Sequence, residues 1–169
     1  MPDKAMLIVL AGLPGTGKSS IARELAREIG AFWLRIDSIE QAIKASGVVP
    51  GSIDDAGYRA AYAIAEDNLR LGHVVIGDSV NPWMLTRNAW RGIGVRAGVR
   101  VLEIETICSN LEEHRRCVEA RAGDVPGLVT PTWADVARRD YHPWDRDHLI
   151  IDTADRRLEA CVAEVLAAV

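Results

Sequence analysis

Apolar residues in this chain gather in short unbroken runs, and the stretches between them carry helical spacing. The first run, MLIVLA at 6–11, is followed by a helical pattern over about 18–29 with Ile21, Leu25 and Ile29 on one face. A short strand, FWLRI at 32–36, comes next, and Asp37, a good N-cap residue, fits the start of a helix reaching about Ser46. GVVPGSIDDAG at 47–57 is rich in Gly, Pro and Asp and reads as a loop. A helix is predicted from about Tyr58 to Leu71, then a strand at HVVIGDS, 73–79. Another helix covers about 82–97, with Pro82 tolerated in its first turn. The strand VRVLEIETIC at 99–108 precedes a helix over about 110–121. The segment 122–147 is polar, interrupted by proline, and carries one short helix near 132–139. A strand at HLIIDT, 148–153, and a helix at 155–168 close the pattern. Strands alternating with helices predict one α/β domain over 1–169, its parallel sheet covered on both faces.

One junction in this pattern carries chemistry. Between the first run and its helix lies GLPGTGKSS, residues 12–20. Gly12-Leu13-Pro14-Gly15-Thr16-Gly17-Lys18-Ser19 matches G-x-x-x-x-G-K-[ST] completely, in the strand–loop–helix setting that the motif requires. Glycines let the backbone approach a ligand, and successive N–H groups form an anion nest at a helix N-terminus. The nest spans Gly12 to Ser20, Lys18 reaches the outer phosphates as a point charge, and the Ser19 hydroxyl suits Mg²⁺. A triphosphate site also needs an acid at the end of another strand, which VVIGDSVN at 74–81 supplies as Asp78. These residues predict ATP and Mg²⁺ as cofactors.

Phosphoryl transfer needs two further parts: a base or orienting acid beside the acceptor, and cations over the migrating group. Asp37 closes the second strand in LRID, and ligands of an open parallel sheet gather beyond strand carboxyl ends. Arg35 and Glu40 stand close enough to reach the same substrate. The cations would come from Arg115, Arg116, Arg121, Arg138 and Arg139, which flank 122–147 as the hinges of a lid. Arg116 and Arg121, five residues apart, would diverge by about 140° on one helix, which puts Arg121 on the lid itself.

Composition narrows the partners. The chain has 169 residues, 49% of them apolar and 26% charged, with a net charge of −4. That balance argues against a nucleic-acid partner. No apolar run approaches the ~20 residues of a membrane span. The early run is too short for a leader, so a cytoplasmic location is expected. Cys108, Cys117 and Cys161 suit a reducing compartment, and Cys108…His114…Cys117 matches no common zinc spacing. Trp83 and Trp90, seven apart, share a predicted helix face and read as core, whereas Trp133 and Trp144 lie in polar surroundings where a flat acceptor could stack.

Taken with CSNLEEHRRCVEAR at 108–121, PTWADVARRDYHPWD at 131–145 and LIIDT at 149–153, these motifs resemble the small P-loop kinases of the AAA_33 type. That group is related to zeta toxin, chloramphenicol phosphotransferase and polynucleotide kinase. The resemblance implies a three-layer P-loop fold with five parallel strands ordered 2-3-1-4-5 and a small lid. It also implies ATP and Mg²⁺ use, an acid at Asp37 and arginines at the lid's edges, so the expected catalytic set is Lys18, Asp37, Arg116 and Arg121. Polynucleotide-kinase relatives often carry an arginine one turn after the acid, where this chain has Glu40. The expected activity is ATP-dependent phosphorylation of a small hydroxylated molecule. A nucleotide-dependent switch, a zeta-like toxin and a nucleic-acid 5′-end kinase stay open as alternatives. The sequence identifies neither the acceptor nor the oligomeric state.

Overall fold

The computed structural model describes residues 5–48 and 51–169, so Val49 and Pro50 of the predicted 47–57 loop lie outside the described residues. β1 (Met6–Ala11) is buried at every position because both of its faces are covered. Ile8 and Leu10 pack on α1 (Lys18–Ile29), and Leu7 and Val9 point the opposite way. β2 (Phe32–Arg35) leads directly into α2 (Ile36–Ala45), then α3 (Ala56–Arg70) and β3 (Val74–Asp78). α4 (Met84–Ala97), β4 (Arg100–Ile107), α5 (Leu111–Glu119), α6 (Trp133–Ala137), β5 (Leu149–Asp152) and α7 (Leu158–Leu166) follow. The five strands are all parallel and ordered β2-β3-β1-β4-β5, as the resemblance implied.

Two cores flank the sheet. On one face α1 and α7 bring Ile21, Leu25, Ile29, Val162 and Val165 onto Ile8, Leu10, Ile76 and Ile104. On the other, α3 and α4 bring Ala61, Ala65, Leu69, Trp90 and Ile93 onto Leu7, Val9 and Val75. Trp90 packs closely on β3 because Gly77 beside it has no side chain; a Cβ there would stand 2.9 Å from the ring. Among the described residues no helix is long and apolar enough to cross a membrane.

Predicted helix starts shift by up to three residues, and two of the shifts change how a residue is read. α2 begins at Ile36, so Asp37 falls within its first turn and is not its N-cap. There its charge still complements the helix dipole. α4 begins at Met84 after Trp83, which leaves Pro82 outside the helix, where its carbonyl accepts from the His142 N–H at 2.7 Å. Trp83 and Trp90 therefore do not share a buried face. Trp90 is fully buried, whereas Trp83 is 45% exposed and donates to Asp140 at 3.1 Å.

The stretch 122–147 divides into parts. Asp124 reaches back to Arg35, and α6 starts with a capping box between Thr132 and Asp135. Residues 141–146 are fastened to the sheet. Arg87, fully buried on α4, donates to the carbonyls of Asn81, Pro82, His142 and Pro143 at 2.9–3.3 Å. Its guanidinium also lies over the rings of Tyr141 and Trp144, at 4.8 and 4.3 Å. Trp144 stacks on His148 at 4.0 Å, so it is a packing residue in this structure and not a free platform. Arg146 grips Glu103 through two bonds of 2.7 and 2.6 Å. Arg87→Leu strips one buried cation from four carbonyls. It is expected to destabilise the fold by about 3 kcal/mol and lower Tm by roughly 6–12 °C, checked by calorimetry.

Candidate active site

The glycine loop follows β1 at the centre of the sheet, beyond the strand carboxyl ends. Its entrance is held by neighbours distant in sequence. The Gly12 N–H donates to the Val80 carbonyl at 3.1 Å, and the Asn81 amide donates to the Leu10 carbonyl at 2.7 Å. Gly12 has φ +135°, and a Cβ there would stand 2.3 Å from the Thr106 carbonyl. Gly15 has φ +84°, and a Cβ there would stand 2.5 Å from Val118. Neither position accepts another residue. Thr16, nearly fully buried, shares a 2.7 Å hydroxyl–hydroxyl bond with Thr106 and donates to the Leu13 carbonyl. The Pro14 carbonyl sits 2.8 Å from His114 Nε2, and the His114 ring stands edge-on to Trp133 at 5.1 Å. His114 thus braces the loop. Cys108, Cys117 and Cys161 are free thiols.

The N-terminus of α1 is open in an unusual way. Its N-cap is Gly17, no side chain caps it, and no acid stands in its first turn. A helix normally offsets its orphan N–H groups and positive dipole end with such groups. Here Lys18 adds a further positive charge. Lys18 is buried, and one of its donors reaches the Leu13 carbonyl at 2.8 Å. Burial pulls its pKa down to about 8, opposed by Asp78 and assisted by the nearby charge of Arg121. This concentration of positive potential suits an anion.

Asp78 ends β3 and is almost fully buried. Burial pushes its carboxyl up, while Lys18, the Ser19 hydroxyl and the Trp33 indole N–H at 3.1 Å favour the ionised form. Among the described residues no three His, Cys, Asp or Glu side chains converge on a point. A serine hydroxyl beside one carboxylate is instead a hard-oxygen pair, suited to a cation such as Mg²⁺ that keeps most of its own water.

Asp37, half-buried, stands near enough for its charge to act on Lys18, Arg35 and Glu40. Burial pushes the Glu40 carboxyl up. A cavity of about 390 Å³ opens over the loop, bounded by Gly15, Gly17, Lys18, Ser19, Ser20, Arg35, Cys117, Arg121 and Asp124. Arg121, just past α5, therefore faces the cavity. Arg116, exposed on α5, is not among its walls. Arg139 acts on Lys18 through its charge, and Arg115 is paired with Glu119 at 2.8 Å. A second cavity of about 230 Å³ lies beside the loop, walled by Cys108, Glu113, Cys117, Thr153 and Arg156 among others.

Sequence reasoning missed His114, Thr106, Asn81 and Asp124 as parts of this site. Only Asn81 carried a signal, since it closes the VVIGDSVN stretch after a strand. Its φ of +45° turns the chain there.

A parallel sheet of this order, with a glycine loop and lysine after its central strand, is a P-loop fold. Residues 7–140 match the AAA_33 family, described as an AAA domain. The chain belongs to that family. An uncharacterized protein of Mycobacterium tuberculosis is 30% identical over 166 residues, covering 89% of this chain and 32% of its own length. The chain thus spans about a third of that relative. A protein of Aeropyrum pernix named "Probable adenylyl-sulfate kinase" is 25% identical over 171 residues, covering 93% of this chain and 88% of its own. Two solved structures show the same fold. One is the Mycobacterium tuberculosis APS kinase in complex with AMPPNP and APS, with TM-score 0.70, 22% identity and 98% of each chain covered. The other is a gluconokinase from Sinorhizobium meliloti, with TM-score 0.63, 19% identity, and 95% and 89% covered.

Proposed function

We propose that the protein moves the γ-phosphoryl group of ATP to a hydroxyl of a small molecule. The observation that carries this reading is the placement of Asp37. It lies at the same end of the sheet as the phosphate loop, with its charge acting on Lys18. A protein that only bound or hydrolysed nucleotide would need no carboxylate in the first turn of α2, just beyond β2.

In this reading the amides of Gly12–Ser20 and the Lys18 ammonium hold the phosphates, and the second cavity takes the nucleoside end. Ser19 and Asp78 would hold Mg²⁺, which when bound neutralises phosphate charge. Asp37 orients the acceptor hydroxyl and takes its proton as the oxygen–phosphorus bond forms and ADP departs. Arg121 stands over the cavity to meet the charge of the migrating group. Arg116 would join it only if α5 itself moved.

The test is ADP release from ATP and magnesium across a panel of hydroxylated metabolites, nucleosides, sugars and antibiotics. One acceptor class is expected to raise ADP release at least about tenfold over basal hydrolysis, with the phosphorylated product seen by mass spectrometry. Slow hydrolysis that no acceptor stimulates would point to a nucleotide switch and overturn the proposal.

A further inference from the structure

We propose that the Arg35 guanidinium is an oxyanion seat in the active-site cavity, filled in the free protein by the Asp124 carboxylate and vacated for a carboxylate or phosphoryl group of a ligand. Arg35 ends β2, in register with Asp78 of β3. Its Nη1 donates to one Asp124 oxygen at 2.7 Å and its Nη2 to the other at 2.8 Å. This parallel fork is the geometry by which arginine takes free carboxylates and phosphates.

The two partners are unequal. The Arg35 side chain is 8% exposed and the Asp124 side chain 54%. Arg35 leans on the Trp33 ring, 5.8 Å from its centroid, and its buried Nε has no protein partner. Asp124 belongs to no helix or strand and comes from 89 residues away in the chain. A buried guanidinium requires a counter-charge, whereas a half-exposed carboxylate regains water when released. An incoming oxyanion of similar shape can therefore replace Asp124 at small net cost. The place of exchange is the site itself, since Arg35 and Asp124 wall the same cavity as Lys18, Ser19 and Arg121.

Two sources share this chemistry: the terminal phosphoryl group of the nucleotide, and an anionic group on the acceptor. The second source rests on the phosphotransferase reading above. Wild type, Asp124→Ala, Arg35→Gln and Arg35→Lys are compared by calorimetry with magnesium present. Arg35→Lys keeps the charge without the fork and guards against a misfolded Arg35→Gln. The first arm titrates AMPPNP and ADP. If the seat takes the nucleotide, Asp124→Ala tightens AMPPNP about tenfold without changing ADP, and both Arg35 variants weaken AMPPNP alone. The second arm saturates with AMPPNP and titrates glycerate, inorganic phosphate and glycerol. If the seat takes the acceptor, Asp124→Ala tightens glycerate or phosphate about tenfold and leaves glycerol unchanged, and both Arg35 variants lose the anions.

The proposal falls if Asp124→Ala lowers Tm while every affinity stays within about twofold of wild type, because the pair is then only a strut. It also falls if Arg35→Gln and Arg35→Lys bind the anions as well as wild type does. A wild type that binds no AMPPNP sinks the phosphotransferase reading instead. The seat is then decided by titrating phosphate into Lys18→Met with and without Asp124→Ala, where the glycine loop no longer competes.

Discussion

Replacing Asp37 by asparagine is expected to lower acceptor-dependent ADP release about a thousandfold while leaving affinity for AMPPNP within about twofold of wild type. Asparagine keeps the size of the side chain and its place in the first turn of α2. The side chain is only half-buried, so the change is expected to leave the fold in place. What it removes is a proton acceptor and a negative charge. If the carboxylate only steadied the helix dipole, its loss would cost about 0.3–1 kcal/mol of stability and leave turnover alone. If it takes the acceptor's proton, the loss falls on kcat, because the nucleotide's own contacts lie on the glycine loop. Acceptor-dependent turnover near the wild-type rate in Asp37→Asn would remove the base from α2 and leave the hydroxyl to be activated elsewhere.

The parts of this protein that were legible in the sequence are those whose cause is local. MLIVLA is apolar throughout because the central strand has no solvent face, and GLPGTGKS carries glycines where an added Cβ would stand 2.3–2.5 Å from other residues. The alternation of strand and helix followed from the same periodicity. The details that failed were local ones overruled by tertiary structure. Pro82 looked fit for a first helical turn, yet it precedes α4 and its carbonyl is taken by the His142 N–H and by the Arg87 side chain. Trp83 and Trp90 matched a helical repeat, but Trp83 precedes α4 and pairs with Asp140. The supports of the site were invisible for a different reason. Thr16–Thr106, Pro14–His114 and Arg35–Asp124 join residues 90, 100 and 89 apart, and no spacing rule links them. They become neighbours only once β4 lies beside β1 and the segment after α5 folds back over β2.

Lys18→Met is expected to weaken AMPPNP binding about a hundredfold and to reduce ADP release about a thousandfold or more. It should also change how the protein responds to pH, which separates an electrostatic role from a structural one. Burial lowers the Lys18 pKa from its ordinary value of 10.5 to about 8. A bound triphosphate favours the charged form, so nucleotide binding above that pH requires uptake of a proton. Wild-type affinity for AMPPNP should be level below pH 8 and fall about tenfold per unit above it. The free protein moves in the opposite sense. Between pH 8 and 10.5 the unfolded chain binds more protons at this residue than the folded chain. The stability contribution of Lys18 therefore rises with pH across that window. Other groups titrate in the same range, so the informative quantity is the difference between wild type and Lys18→Met at each pH. In that difference, stability without nucleotide should climb while affinity declines. A methionine variant with the same pH slope as wild type would mean that the ammonium is not the group meeting the phosphates. The pull on the nucleotide would then rest on the uncapped end of α1 alone.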